Sequence, residues 1–442
     1  MPWIAERRRL DRADLLQLVD ATMARIGRHI CARPRRVLLL PPDITRLHSG
    51  SGWLCEAFYE RFRQEGATVR VIPTLGQHEP HTAEQNRTMF GRVALQDIGV
   101  HDWRGGSVPV GNLPAEEVAA ATSGKADWDL PIWLNRELIE QPWDVVLNIG
   151  HVVPHEVLGF ANHNKNYFIG IGGKATICAS HMAAALCGIE NNLGTLVTPI
   201  RHLFNEAETR FLGHLPDLYV QLVMARDAEG RLVHTGYYAG DDLETYLHAA
   251  RQSAEENITL FERPVERIIC WMEGDSFFST WVANKAVYRT RMAIADGGEL
   301  LILAPGLRRF GEQPEVDRLI RRFGYRGTPA TLDAWQHDAE LHEWGHAAAH
   351  LIHGSSEGRF TIRYAPGHLT RDEIESVGYE YADLGDCLRR YGVDKLREGF
   401  HEVGGESFFF VATPSIGLWA TRDKLEARRA AAVNGRPTRG EA

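Results

Sequence analysis

The sequence predicts an α/β protein of doubly wound type, with two α/β domains built on mainly parallel sheets. Three observations carry this expectation. Short apolar runs ended by prolines or glycines recur along the chain, as in RVLLLPP (36–42), DVVLNIG (144–150) and ELLILAP (299–305). Amphipathic helical patterns separate them. The first such interval leads from RVLLLPP through Trp53, Phe58 and Phe62 to TVRVIPT, which starts at 68, a strand-helix-strand unit long enough for a right-handed parallel crossover.

With 442 residues, 44% hydrophobic and 24% charged, the chain can bury more than one core. The acidic, turn-rich stretch AGDDLETYLHAARQSAEEN is followed by ERPVERIICW, where a strand-first pattern restarts. This sets expected domains at 1–262 and 263–425, the second closing over a substrate held in the cleft between them. The tail, 426–442, has small and charged residues without an apolar period and is expected to be disordered.

The net charge of −9 gives no electrostatic reason to expect a nucleic-acid or membrane partner and leaves a small molecule as the expected ligand. The opening MPWIAERRRLDRADLL breaks with charge the apolar stretch a signal peptide needs, and no run of eighteen apolar residues occurs, so a cytoplasmic location is expected. Six cysteines without C-x-x-C spacing fit a reducing compartment and are read as core residues.

In open parallel sheets ligands sit beyond the carboxyl ends of strands. RVLLLPP is followed by Asp43 and Arg46 in DITR, VIPT by His78 in LGQH, and DVVLNIG by His151 and His155 in HVVPH. One such residue alone is more often a cap, a surface charge or a hydrogen-bonded histidine; three strand ends together favour a site. A histidine there can accept a proton and later return it, and two from different strand ends suit inversion of a stereocentre. The following segment, HVVPHEVLGFANHNKNYFIGIGGKATICASHM, adds His163, His181, Lys165, Lys174 and a set of glycines, and its imidazoles could bind a metal. HEWGH (342–346) has the H-E-x-x-H spacing of metalloproteases, but in a chain with 20 histidines a chance match is common, and a helix with a histidine-rich solvent- or cleft-facing side is the preferred expectation.

The spacing of these residues resembles the lactate racemase family of nickel-pincer-nucleotide enzymes. His155, Gly159-Phe160, Lys165 ten residues after the histidine and His181 sixteen after the lysine follow its pattern without a gap. The resemblance implies that Lys165 carries the cofactor through a thioamide bond, that His181 ligates nickel, and that His155 and His78 are the acid/base pair. DITR corresponds to the family's D-x-x-R loop, which brings Asp43 and Arg46 to the cofactor and Arg46 to the substrate. Lys285, twelve residues before Gly297-Gly298, corresponds to the substrate-contacting lysine, and Trp335 in DAWQ to a tryptophan near the substrate. Two departures stand out: Asn162-His163 replaces the usual Gly-Gly before the lysine, and Trp281-Val282 replaces Tyr-Gln before Lys285. The implied activity is racemisation or epimerisation of a 2-hydroxy acid by hydride transfer, with cofactor-biosynthesis enzymes as loading partners. The alternatives are a zinc-dependent hydrolase using the same histidines and a non-catalytic small-molecule binding protein.

Overall fold

The computed structural model describes residues 1–31 and 33–427, so most of the tail expected to be disordered lies outside the described residues. The chain divides into two compact units, the first formed by Met1–Cys187 and Gly194–Glu256, the second by Gly188–Leu193 and the chain from Asn257 onward.

The first unit is built on a six-stranded sheet in the order Ile4–Leu10, Leu232–Gly240, Asp217–Arg226, Val145–His151, Arg36–Leu40, Thr68–Val71. Its four strands from Asp217–Arg226 to Thr68–Val71 pair in parallel, and the two remaining contacts are antiparallel. The apolar runs are continuous because both faces are covered. Val37 and Leu39 enter a core with Leu54, Phe58 and Phe62 of the helix Ser51–Gln64, whereas Leu38 and Leu40 enter another with Phe168, Ala183 and Phe204. The helix Arg12–His29 starts with a capping box between Asp11 and Asp14 and buries Leu15, Val19, Met23 and Ile26 at three- and four-residue spacing.

Residues 217–240 form two long strands that the hydrophobic pattern did not reveal, and Ile4–Leu10 is a charged strand at the sheet edge. DDLETYLHAARQSAEEN, read as turn-rich, is largely the helix Leu243–Asn257. Not all cysteines are core residues: all six are free thiols, but Cys31 is exposed, in the left-handed region just after the first long helix, and Cys178 is half-buried.

The second unit has a six-stranded sheet in the order Glu380–Tyr381, Thr361–Pro366, Ile294–Ala304, Val265–Trp271, Glu406–Val411, Gly399–Val403, parallel at every contact but the last. Ile269, Leu301, Leu303, Phe408 and Phe410 form the core of one face with Cys387 and Tyr391. Among the described residues no helix is long and apolar enough to cross a membrane.

HEWGH does not lie on one helix. Its first half closes the helix Ala339–Glu343, Trp344 leaves helical geometry at φ −101° and ψ 50°, and a second helix runs Gly345–Gly354. His342 is therefore exposed while His346 is buried, and the i, i+4 geometry of a zinc protease is absent. Nor does the second helix turn its histidines to solvent. His346, His350 and His353 are all buried, and His350 shares hydrogen bonds with the hydroxyls of Tyr288 (2.6 Å) and Tyr325 (2.8 Å) while stacking on Trp281 at 4.4 Å. Satisfying both ring nitrogens is what permits the burial of His350.

Candidate active site

The strands Arg36–Leu40 and Thr68–Val71 are neighbours, and their alignment continues past their ends through a bridge between Pro42 and Thr74. That places the two loops side by side. Asp43 opens the short helix Ile44–Ser49, its carbonyl accepting from the Arg46 amide at 3.0 Å and its Oδ1 from the Thr45 hydroxyl at 2.6 Å. Across the gap, His78 Nε2 stands 3.9 Å from Asp43 Oδ2. Burial pushes the Asp43 carboxyl up, but His78, the Thr45 hydroxyl, His81 and Arg46 together outweigh it and hold the acid below its ordinary range. Burial also lowers Arg46, against the fields of Asp43 and Glu156.

Beyond the strand Val145–His151 the chain makes a small hairpin, Pro154–His155 against Gly159–Phe160. Gly159 is required there twice over: its φ is +78°, and any Cβ would run into the carbonyl of Thr195. At the hairpin's tip His155 Nδ1 accepts from the amides of Val157 (3.2 Å) and Leu158 (3.4 Å), so the neutral ring carries its proton on Nε2. Burial drives the His155 pKa well down; Glu156 opposes this, and Lys165, Arg46 and His181 add to it.

Lys165 follows the turn Asn162–Asn164 and precedes a π-helical turn, Asn166–Gly170. Its amine is pushed down to about 8, by burial first and then by Arg46, with Asp43 and Glu156 pulling the other way and Arg201 adding a smaller push. His181 sits on the helix Lys174–Cys187, and its Nδ1 donates to the Ile177 carbonyl at 2.8 Å, which leaves the lone pair on Nε2. Burial lowers its pKa to about 4, against Glu156 and the Ile177 bond.

Asp43, Arg46, His78, His155, Lys165 and His181 thus form one electrostatic neighbourhood. Elsewhere in the same segment, His163 is stacked on Tyr219 at 4.0 Å and held neutral by burial, with a pKa of about 3, and His151 lies edge-on to His48 at 5.9 Å. Lys285 begins the helix Lys285–Thr290 and Trp335 stacks on His342 at 4.5 Å; both belong to the second unit.

Two participants escaped the sequence reading. Glu156 bears electrostatically on Arg46, His155, Lys165 and His181, and its place beside His155 in the sequence was the available signal. His81 accepts from the Ile44 amide at 2.8 Å, and no motif marks it. Among the described residues no three His, Cys, Asp or Glu side chains stand together as a metal cage.

Residues 18–193 match the family model described as the lactate racemase N-terminal domain. That stretch is similar to the lactate racemase family, the resemblance its motifs had implied. Among solved structures, the chain is similar to a Thermotoga maritima protein from the Northeast Structural Genomics Consortium, with 22% identity and a TM-score of 0.79 over 94% of this chain and 100% of that one. It is also similar to the lactate racemase apoprotein from Thermoanaerobacterium thermosaccharolyticum, with 14% identity and a TM-score of 0.66 over 94% of each chain. At these identities the likeness establishes a shared fold across both units. No curated protein matches the chain.

Proposed function

We propose that the chain is a racemase or epimerase that inverts C2 of a 2-hydroxy acid, using a nickel-pincer nucleotide tethered to Lys165. The observation that carries this reading is the convergence of Lys165, His155, His181 and Arg46, within a lactate racemase N-terminal domain, in one neighbourhood of mutually perturbed charges.

The residues fit the cofactor. An amine lowered to about 8 has an appreciable neutral fraction near pH 7 and can form an acyl-type bond. His181, its Nδ1 engaged by Ile177, offers Nε2 to nickel. Asp43 Oδ2 and Arg46 Nη1 are buried with no hydrogen-bond partner among the described residues, as groups awaiting a polar ligand would be. When bound, the cofactor would supply the hydride acceptor and donor that inversion at a C–H bond requires.

The chain's own residues then handle charge and protons. Arg46 holds the substrate carboxylate and favours the anionic character that develops on the substrate oxygen. His78, backed by the Asp43 carboxylate, takes the hydroxyl proton of one enantiomer, His155 serves the other, and each returns a proton when the opposite one has taken it. Lys285 and Trp335 enter as substrate contacts through the family pattern. Cofactor-loading enzymes and a cytoplasmic setting complete the reading.

The test is intact-mass and metal analysis of protein made in a host that synthesises the cofactor, with assay against enantiomer pairs of 2-hydroxy acids. An adduct that disappears in Lys165→Ala, nickel in the protein and interconversion of one pair are expected. Zinc without an adduct would establish a hydrolase-type site instead.

A further inference from the structure

The turn before Lys165 is conformationally expensive. Asn162 (φ 68°) and His163 (φ 59°) both lie in the left-handed region, the natural territory of the glycine pair they replace. Side chains are disfavoured there relative to glycine, His163 more than Asn162, so the surroundings must hold the turn in place.

Asn162 is fixed by its own side chain. Its Nδ2 donates to Gln221 Oε1 (2.7 Å) and its Oδ1 accepts from Asn166 Nδ2 (2.7 Å). Gly150 makes room for it, since a Cβ at 150 would strike the Asn162 carboxamide. His163 is held by stacking on Tyr219, with Tyr246 at 5.4 Å on a tilted approach.

The backbone is gripped by Arg201, whose side chain is among the largest fully buried ones. Its guanidinium donates to the carbonyl of Phe160 at 2.6 Å, to that of Asn162 at 3.3 Å from each terminal nitrogen, and to Asn164 Oδ1. It also lies over the Tyr246 ring at 4.3 Å. Asn164 passes the contact on, donating to Asn205 Oδ1 (2.7 Å) and Glu208 Oε2 (2.8 Å). A buried arginine spending its donors on three residues of one five-residue segment fixes the direction in which that segment leaves, and the next residue is Lys165.

We propose that Arg201 is a positioning residue, a latch on the Asn162-His163 turn that presents the Lys165 amine for cofactor attachment. The proposal rests on the reading of Lys165 as the tether. Besides Arg201, the charged or titratable groups facing that amine are Arg46 and Asp43 from the loop after the strand Arg36–Leu40, and Glu156 from the hairpin tip. His155 and His181 feel the lysine's charge in turn.

The test uses full-length protein from a host without the cofactor pathway. Acetylation of Lys165 by acetic anhydride is followed by peptide mass spectrometry across pH in wild type, Arg201→Met and Arg201→Lys, with thermal melts to show folding. The high-pH plateau rate reports how the amine is held, and the midpoint reports its field. Arg201→Met is expected to raise the plateau severalfold and move the midpoint upward, because both grip and positive charge are lost. Arg201→Lys keeps the charge but cannot reach three acceptors, so its plateau rises with little change of midpoint. A folded Arg201→Met with the wild-type plateau and midpoint overturns the proposal. If Arg201→Met does not fold alone, it is made together with Asn162→Gly and His163→Gly, which hold the turn without strain, and compared with the Gly-Gly variant by the same two criteria. Adduct mass from the cofactor-making host is read separately: its absence sinks the tether reading without touching the labelling result.

Discussion

The imidazole of His181 donates from Nδ1 to the carbonyl of Ile177, one helical turn earlier, at 2.8 Å. The bond fixes the tautomer and leaves the lone pair on Nε2, the atom that would ligate nickel under the proposed function. Replacing His181 with alanine should bring nickel in protein from a cofactor-making host close to background, while an adduct on Lys165 persists. Nickel at the wild-type level, measured by elemental analysis, would take His181 out of the site.

His78 and His155 come from different strand ends and share a neighbourhood with Arg46, and under the proposed two-histidine scheme each complete inversion needs both. Alanine at either position should lower racemisation in both directions by a factor of at least about 100, the low end of what a positioned acid/base contributes. The equilibrium ratio of enantiomers must stay unchanged. Chiral chromatography of reactions started from each enantiomer checks this, and full two-way turnover in either variant would sink the two-histidine scheme.

Lys165 should destabilise the unloaded protein at neutral pH. Its amine titrates near 8 in the folded chain against about 10.4 unfolded. Between those values the unfolded state binds more protons, so stability rises with pH through that window. Lys165→Met should therefore be more stable than wild type at pH 7, by as much as roughly 3 kcal/mol from a shift of this size. The advantage should shrink as pH approaches 10. Urea denaturation at pH 7, 8.5 and 10 measures it, and a constant difference across the three would contradict the burial of the amine.

In the second unit Glu299 lies between two arginines on adjacent strands, 2.7 Å from Arg267 and 2.9 Å from Arg363. All three are partly exposed, so each pair contributes modestly, and Arg267 keeps Glu406 and Arg363 keeps Glu380 when the central carboxylate is removed. Glu299→Gln should cost about 1 kcal/mol at low salt and distinctly less in 1 M sodium chloride. Denaturation curves at the two salt concentrations decide it; a loss that ignores salt would point to packing.

The sequence alone determined the elements and residues that rest on local pattern. The apolar runs of the parallel strands are legible because burial on both faces leaves no alternation to obscure them. The spacing of His155, Lys165 and His181 is a chain property, and it pointed to the family whose N-terminal domain model residues 18–193 match. Where neighbours decide, the pattern was silent. The strands Asp217–Arg226 and Leu232–Gly240 take their places through pairing with each other and with the sheet, and HEWGH kept its ligand spacing while its helix broke at Trp344. Tertiary structure alone brought Asp43 beside His78, removed His163 into an aromatic stack, and set Arg201 under the turn before Lys165. These contacts join positions distant in the chain, and their energies come from burial, charge and hydrogen-bond geometry, which appear only when the chain is packed.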